Sequence, residues 1–120
     1  MQWQLEGDRP IYQQLVDQIM MQIVSGQRKA GDKVPAVREL AADAGVNPNT
    51  VQRALAELEG TGLLHTQRTA GRFVTEDTAV IQSAKEDLAR SRTREYLESM
   101  AQLGYDRQQV KALLEEWKEE

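Results

Sequence analysis

Residues 36–60 read AVRELAADAGVNPNTVQRALAELEG, and their pattern sets the fold. Val37, Leu40 and Ala41 recur at helical spacing and predict a short helix over about 36–43. Gly45 breaks it. Asn47 offers a side-chain oxygen to cap a new helix, and Pro48 suits the first helical position, where a missing N–H costs no hydrogen bond. The new helix runs to about Gly60 with Val51, Ala54, Leu55 and Leu58 along one stripe. Helix, tight glycine turn, helix is the pattern of a helix-turn-helix.

Working outward, Leu63 to Gln67 and Arg72 to Thr75 are strand candidates joined by the turn Arg68-Thr69-Ala70-Gly71, a two-stranded wing. Upstream, residues 10–25 read as a helix in which Ile11, Leu15, Ile19 and Ile23 recur every four positions, flanked by Tyr12, Val16, Met20 and Val24 as a broad buried face. Pro10 is expected at its first position, Asp8 as its cap and Gly26 as its stop. Residues 27–35, with Gly31, Asp32 and Pro35, read as a loop. Trp3 and Leu5 alternate ahead of the first helix and are expected to cover the edge of the core.

Beyond Glu76 a long helix is predicted over 79–103, with Ile81, Ala84, Leu88, Leu97, Met100 and Leu103 as its apolar points. The pattern weakens across 89–95, where Arg90, Arg92 and Arg94 sit among Glu86, Asp87, Glu95 and Glu98 as a solvated face. Gly104 ends the helix, Asp106 and Gln109 form a capping-box pair, and Val110, Leu113, Leu114 and Trp117 follow at i, i+3, i+4, i+7. The expected architecture is mainly α: an N-terminal winged helix-turn-helix of three helices and a two-stranded wing over 1–77, then a C-terminal two-helix dimerisation hairpin over 78–120.

Composition excludes several function classes. The 120 residues contain no cysteine, which removes disulfides, thiolate nucleophiles and zinc–cysteine sites together. His65 is the single histidine, a poor basis for a metal site or a triad, and is read as an exposed strand residue. No Gly-rich phosphate loop, metal-ligand cluster or partnered nucleophile is visible, so neither enzyme nor cofactor nor metal is expected. No charge-free window of about 20 residues exists for a transmembrane helix. No basic-then-apolar leader is visible either, and a cytoplasmic location is expected. The net charge of −4 argues globally against a nucleic-acid binder. Its distribution argues otherwise. Residues 1–74 carry 8 basic and 8 acidic side chains, whereas residues 75–120 carry 7 basic and 11 acidic and hold the whole excess.

With Val51 placed at zero and steps of about 100° per residue, Val51, Ala54, Leu55 and Leu58 cluster within about 60° of zero. Asn49, Gln52, Arg53 and Ala56 point to the other side. Asn and Gln amides pair with adenine edges and Arg with guanine, and Ala56 leaves room for a duplex. Thr50 lies on the flank of the first turn, suited to a phosphate oxygen. Arg38 on the preceding helix, Lys33 before it, and Arg68 and Arg72 around the wing turn would join Arg53 as a local cationic surface.

The runs Val34-Pro35-Ala36-Val37-Arg38-Glu39-Leu40-Ala41, Gly45-Val46-Asn47-Pro48-Asn49-Thr50-Val51 and Glu57-Leu58-Glu59-Gly60-Thr61-Gly62-Leu63 resemble the winged-helix domain of GntR-family transcription regulators. Arg9-Pro10-Ile11-Tyr12-Gln13-Gln14-Leu15 and Gly71-Arg72-Phe73-Val74 fit the same pattern, so the resemblance spans about residues 9–75. The short acidic tail and the Asn-Pro-Asn-Thr run look like the YtrA-like branch. The resemblance implies a bacterial, cytoplasmic, homodimeric repressor on a near-palindromic operator. It implies DNA contact by Arg38, Pro48, Thr50 and Gln52, and close backbone approach to the minor groove at Gly71. Some members carry Arg where this chain has Pro48 and Gln52, so their base preferences do not transfer. The family's common Ser is Ala36 here. Control of neighbouring ABC-transporter genes is implied by the branch alone.

A two-helix tail cannot bury an apolar stripe by itself. Pairing with a second copy is therefore expected through Leu97, Met100, Leu103, Val110, Leu113, Leu114 and Trp117, with half-sites about 10 bp or a multiple apart. So short a tail leaves little interior for a small-molecule effector site, which commonly needs ~300 Å3 or more. The competing reading is a winged-helix docking module that binds protein. The joint presence of Arg38, Arg68, Arg72 and the Asn49/Gln52/Arg53 face tells against it.

Overall fold

A computed structural model describes residues 3–118. Its elements in order are α1 (Ile11–Val24), α2 (Val37–Ala44), α3 (Pro48–Gly60), β1 (Leu64–Gln67), β2 (Gly71–Val74), α4 (Thr78–Gln102) and α5 (Arg107–Glu116). The chain divides into two compact units at Ala84–Lys85, inside α4. The division falls beyond residue 77 because Val80, Ile81 and Ala84 pack against the first unit's core.

In the first unit, α1 contributes Leu15, Val16, Ile19 and Ile23 to the core, α2 contributes Leu40 and Ala41, and α3 contributes Val51, Ala54, Leu55 and Leu58. Leu63, Leu64 and Val74 close it from the wing. The expected stripe of α3 is thus the buried one, and its opposite face is left to solvent. Gly45 ends α2 at φ +69, a left-handed turn that costs glycine nothing and lets the Gly45 and Val46 N–H groups return to the Ala41 carbonyl.

The start of α1 differs from expectation. Pro10 is the cap residue and not the first helical one, and no side chain caps the helix, Asp8 included. Glutamines hold the chain entry instead. Buried Gln14 accepts from the Glu6 N–H at 2.6 Å and donates to the Glu6 and Arg9 carbonyls at 2.6 and 2.8 Å. One turn on, Gln18 accepts from the Gln4 N–H and donates to the Gln4 carbonyl. Two residues of extended chain and one helical turn advance by similar lengths, so side-chain amides at i and i+4 of a helix can take the place of a neighbouring strand. Trp3 extends this arm, half-buried at the edge of the core as expected, and its indole donates to Asp43 of α2 at 2.8 Å.

β1 and β2 pair antiparallel in the register Leu64–Val74 to Gln67–Gly71. Residues 32–34, read from the sequence as loop, add a short third rung: Lys33 bridges Phe73, the Val34 N–H reaches the Arg72 carbonyl, and the Val74 N–H reaches Asp32. Three residues are too few to carry a periodic signal, and their partner lies some forty positions away in sequence, so local reading cannot find them.

The second unit comprises the rest of α4 and all of α5. Gly104, at φ +90, follows α4, and the Tyr105 N–H closes back on the Met100 carbonyl. The Asp106/Gln109 capping box forms in both directions at 2.9 Å. The tail also holds an open trough of about 550 Å3 that includes Arg90, Arg94, Leu97 and Ala101. Its room comes from small residues between long ones on α4, not from a hollowed interior. No helix among the described residues is long and apolar enough to cross a membrane.

Candidate nucleic-acid interface

The recognition face rests on a rigid local start. The Asn47 carboxamide oxygen accepts from the Asn49 N–H at 2.8 Å, and Pro48 opens α3 with φ already suited to a helix. Asn49, Gln52, Arg53 and Ala56 are all exposed, and Thr50 is half-buried on the flank. The exposed side thus presents two carboxamides and a guanidinium around one methyl. That set can donate to and accept from base edges in a major groove.

Arg53 is not a loose side chain. Its guanidinium carbon lies 3.6 Å from the centroid of the Tyr12 ring on α1. Tyr12 is correspondingly half-exposed and not part of the buried core. Sequence periodicity placed it on the buried face because it neighbours Ile11. Nothing local signals that its ring serves a cation on another helix.

The wing separates the predicted cations into two kinds. Arg68 is exposed in the turn, and Lys33 is exposed on the added rung. Lys33 lies so close to the turn that a β-carbon on Gly71 would meet its Cε at 3.3 Å. Gly71 itself sits at φ +104, where a side chain would be strained. Lys33 and Gly71 are therefore neighbours. Arg72 has a partner within the fold. It is half-buried, and its Nε donates to Oε1 of Glu59 near the end of α3. The Thr66 hydroxyl donates to the same oxygen at 2.7 Å. These two donors hold the Glu59 carboxyl below the usual glutamate range, the Arg72 hydrogen bond first and Thr66 second. Arg72 thus ties the wing to α3, a role that its place beside the wing turn does not announce.

On α2, Arg38 is exposed in the first turn. Ala36 caps that helix without any side-chain hydrogen bond, as the departure from Ser leads one to expect. Arg28 donates to Gln22 at 2.7 Å, and burial lowers its pKa against the opposing pull of Asp32 and Asp43. His65 is exposed on β1 and stacks on Phe73 with ring centroids 6.0 Å apart. No group of three or more His, Cys, Asp or Glu among the described residues could hold a metal ion.

Of the seven tail residues expected at an interface, Val110 stands apart, because it is 2% exposed within the single chain and is not available to a partner. Leu97 and Met100 are half-buried. Leu103, Leu113, Leu114 and Trp117 are exposed, at 71, 37, 61 and 78% respectively. Trp117 lies just past the end of α5 in extended conformation, so the helical stripe stops one residue short of it.

The winged fold recurs among known proteins. The model of the gntR family of bacterial regulatory proteins matches residues 11–74. The HTH-type transcriptional regulator YhcF of Bacillus subtilis is 36% identical over 107 residues, covering 89% of this chain and 88% of that protein. The HTH-type transcriptional repressor YtrA of the same organism is 44% identical over 68 residues, 57% of this chain and about half, 52%, of that repressor. A GntR family transcriptional regulator from Listeria monocytogenes superposes with a TM-score of 0.86 at 38% identity, covering 95% of this chain and 100% of its own. The DNA-binding domain of AraR, solved in complex with an operator, covers 62% of this chain and 96% of its own, with a TM-score of 0.58 and 28% identity. With a family model over more than half of its length and a relative aligned along nearly all of it, the chain belongs to the GntR family of bacterial regulatory proteins.

Proposed function

We propose that this regulator acts as a cytoplasmic repressor that binds a near-palindromic operator as a homodimer. The observation that carries the reading is the exposed face of α3, where Asn49, Gln52 and Arg53 stand on a capped helix beside a wing that brings Lys33 against Gly71. In this reading Asn49, Gln52 and Arg53 read bases, and Pro48 and Thr50 approach the groove wall. Lys33, Arg38 and Arg68 hold phosphates. Arg72 gives its Nε to Glu59 and so supports the wing, with its terminal N–H groups left for a phosphate. The operator complex of the AraR DNA-binding domain, which is similar to the winged portion, supports operator binding by this part of the chain.

The tail supplies the pairing that brings a second winged unit to the second half-site. Leu103, Leu113, Leu114 and Trp117 expose apolar area that a second copy would cover, and the trough beside Leu97 adds to that surface. A small-molecule effector would then enter between copies, not inside one tail. Control of neighbouring ABC-transporter genes is implied only by the resemblance of the acidic tail and the Asn-Pro-Asn-Thr run to the YtrA-like branch.

The deciding experiment is an electrophoretic shift of the chain's own upstream promoter against random DNA, across about 50–200 mM salt. Specific operator binding leaves a discrete complex at the higher salt, whereas phosphate-only binding fades as counterions compete. Arg53→Ala is expected to cost about 1–3 kcal/mol and to relax choice at one base pair per half-site. Lys33→Ala is expected to weaken all sequences alike. Absence of any shift at any salt would favour the docking-module reading.

A further inference from the structure

We propose that Tyr12, on a helix that carries none of the proposed base readers, is a positioning residue for sequence recognition: its ring holds the Arg53 guanidinium in the orientation that α3 presents to DNA. The inference rests on the base-reading role proposed above for Arg53 and deepens it.

Arg53 is exposed on α3, so by itself its long side chain would sample many rotamers and lose that freedom on binding. The Tyr12 ring removes much of it beforehand. At 3.6 Å from the ring centroid, the guanidinium is within the range in which a cation is attracted to an aromatic face. The ring sits on the second residue of α1, and α1 is fixed against α3 by Leu15, Ile19 and the α3 stripe. The platform is therefore as rigid as the core. A guanidinium laid against an aromatic ring uses its face for that contact and keeps its N–H donors, which lie in its own plane, for other partners. Those donors are the groups that make a bidentate contact to a guanine edge. Tyr12 touches no base in this arrangement. It acts through Arg53.

The contact also distinguishes Arg53 from the other proposed DNA-binding cations. Arg72 is held by a carboxylate, which takes its Nε donor. Arg53 is held by a π face, which orients its donors and leaves them free. Among the described residues, the ion pairs join other side chains: Arg9 to Asp17, Arg72 to Glu59 and Arg90 to Asp87.

The test uses the full chain and a duplex selected by that chain from a randomised library, so that the operator need not be known. Binding is measured to the selected duplex, to each of its single-base variants and to random DNA. Arg53→Ala first identifies the base pair at which discrimination is lost. Tyr12→Leu is then expected to lower discrimination at that same base pair roughly two- to fivefold, the factor that corresponds to an exposed cation–π contact. Binding to random DNA should stay within error. Tyr12→Phe, which keeps the aromatic face, should restore discrimination. Adding Tyr12→Leu to Arg53→Ala should change nothing further. Arg53→Lys keeps the charge but not the planar fork, so it tests the base-reading role of the guanidinium on which the proposal rests, without touching α1. It should lose discrimination at that base pair as well.

Equal loss on selected and random DNA for Tyr12→Leu would overturn the proposal and make the ring a purely structural part. So would unchanged discrimination. If Arg53→Ala, with Tyr12 intact, loses affinity equally on all sequences, the base-reading role of Arg53 fails first and the proposal falls with it. That outcome is distinguishable because it appears before Tyr12 is altered.

Discussion

Glu59 is the residue on which the wing turns. One oxygen of its carboxylate receives a guanidinium from β2 and a hydroxyl from β1, so both strands are fixed to α3 through a single group. Hydrogen bonds to a charged acceptor contribute more than neutral ones, but this side chain is still about a third exposed, which limits the gain to about 1 kcal/mol. Its lowered pKa gives the contribution a direction. The folded state favours the ionised form more than the unfolded chain does, so the stabilisation is fully present above the ordinary value of 4.5 and is lost as pH falls through the lower folded value. Thermal unfolding followed from pH 7 into the acid range should show Glu59→Gln less stable than the parent at neutral pH by about 1 kcal/mol, with the gap closing as acid is added. A gap that persists unchanged at the acid end would show that the carboxylate charge is not what holds the wing.

Among the elements, the least conventional is the extended arm over residues 3–6, held by glutamine side chains. Gln14→Leu keeps the volume of the buried side chain but leaves the Glu6 N–H and two carbonyls without their partners, at a cost of about 1–3 kcal/mol. Hydrogen–deuterium exchange should show the Glu6 amide losing protection in that variant while the α3 amides keep most of theirs; an unchanged Glu6 amide would remove Gln14 from this role. The helix-turn-helix was legible in the sequence because everything that builds it is local: the Val51–Leu58 stripe, the Asn47 cap, the Gly45 break. The same holds for the Asp106/Gln109 box. What was not legible depends on contacts between distant segments. Lys33 reads as loop, Tyr12 as core and Arg72 as one of several cations around the wing turn, and the bonds that Gln14 makes to residues 6 and 9 leave no periodic signal. The recognition face was therefore readable as a set of residue types, and its supports were not.

For the molecule as a whole, the tail offers a contrast between two neighbouring apolar residues. Val110 is buried within the chain, whereas Leu114, one helical turn on, is 61% exposed. An aspartate at position 110 would be an unpaired charge in an apolar site, at a cost of roughly several kcal/mol, so Val110→Asp should melt α5. Leu114→Asp should keep helicity by circular dichroism, yet shift analytical ultracentrifugation towards monomer and weaken operator binding with it. A Leu114→Asp protein that stays dimeric would move the interface off this surface. The two tryptophans turn the same division into a signal. Trp3 is half-buried with its indole bonded to the Asp43 carboxylate, and Trp117 is 78% exposed. One belongs to each compact unit. The emission of Trp3 therefore follows melting of the winged unit, while that of Trp117 begins red-shifted in water and moves to the blue when a second copy covers it. Trp3→Phe and Trp117→Phe would give two single-colour reporters, and a dilution series read through them would separate dissociation from unfolding without any added dye.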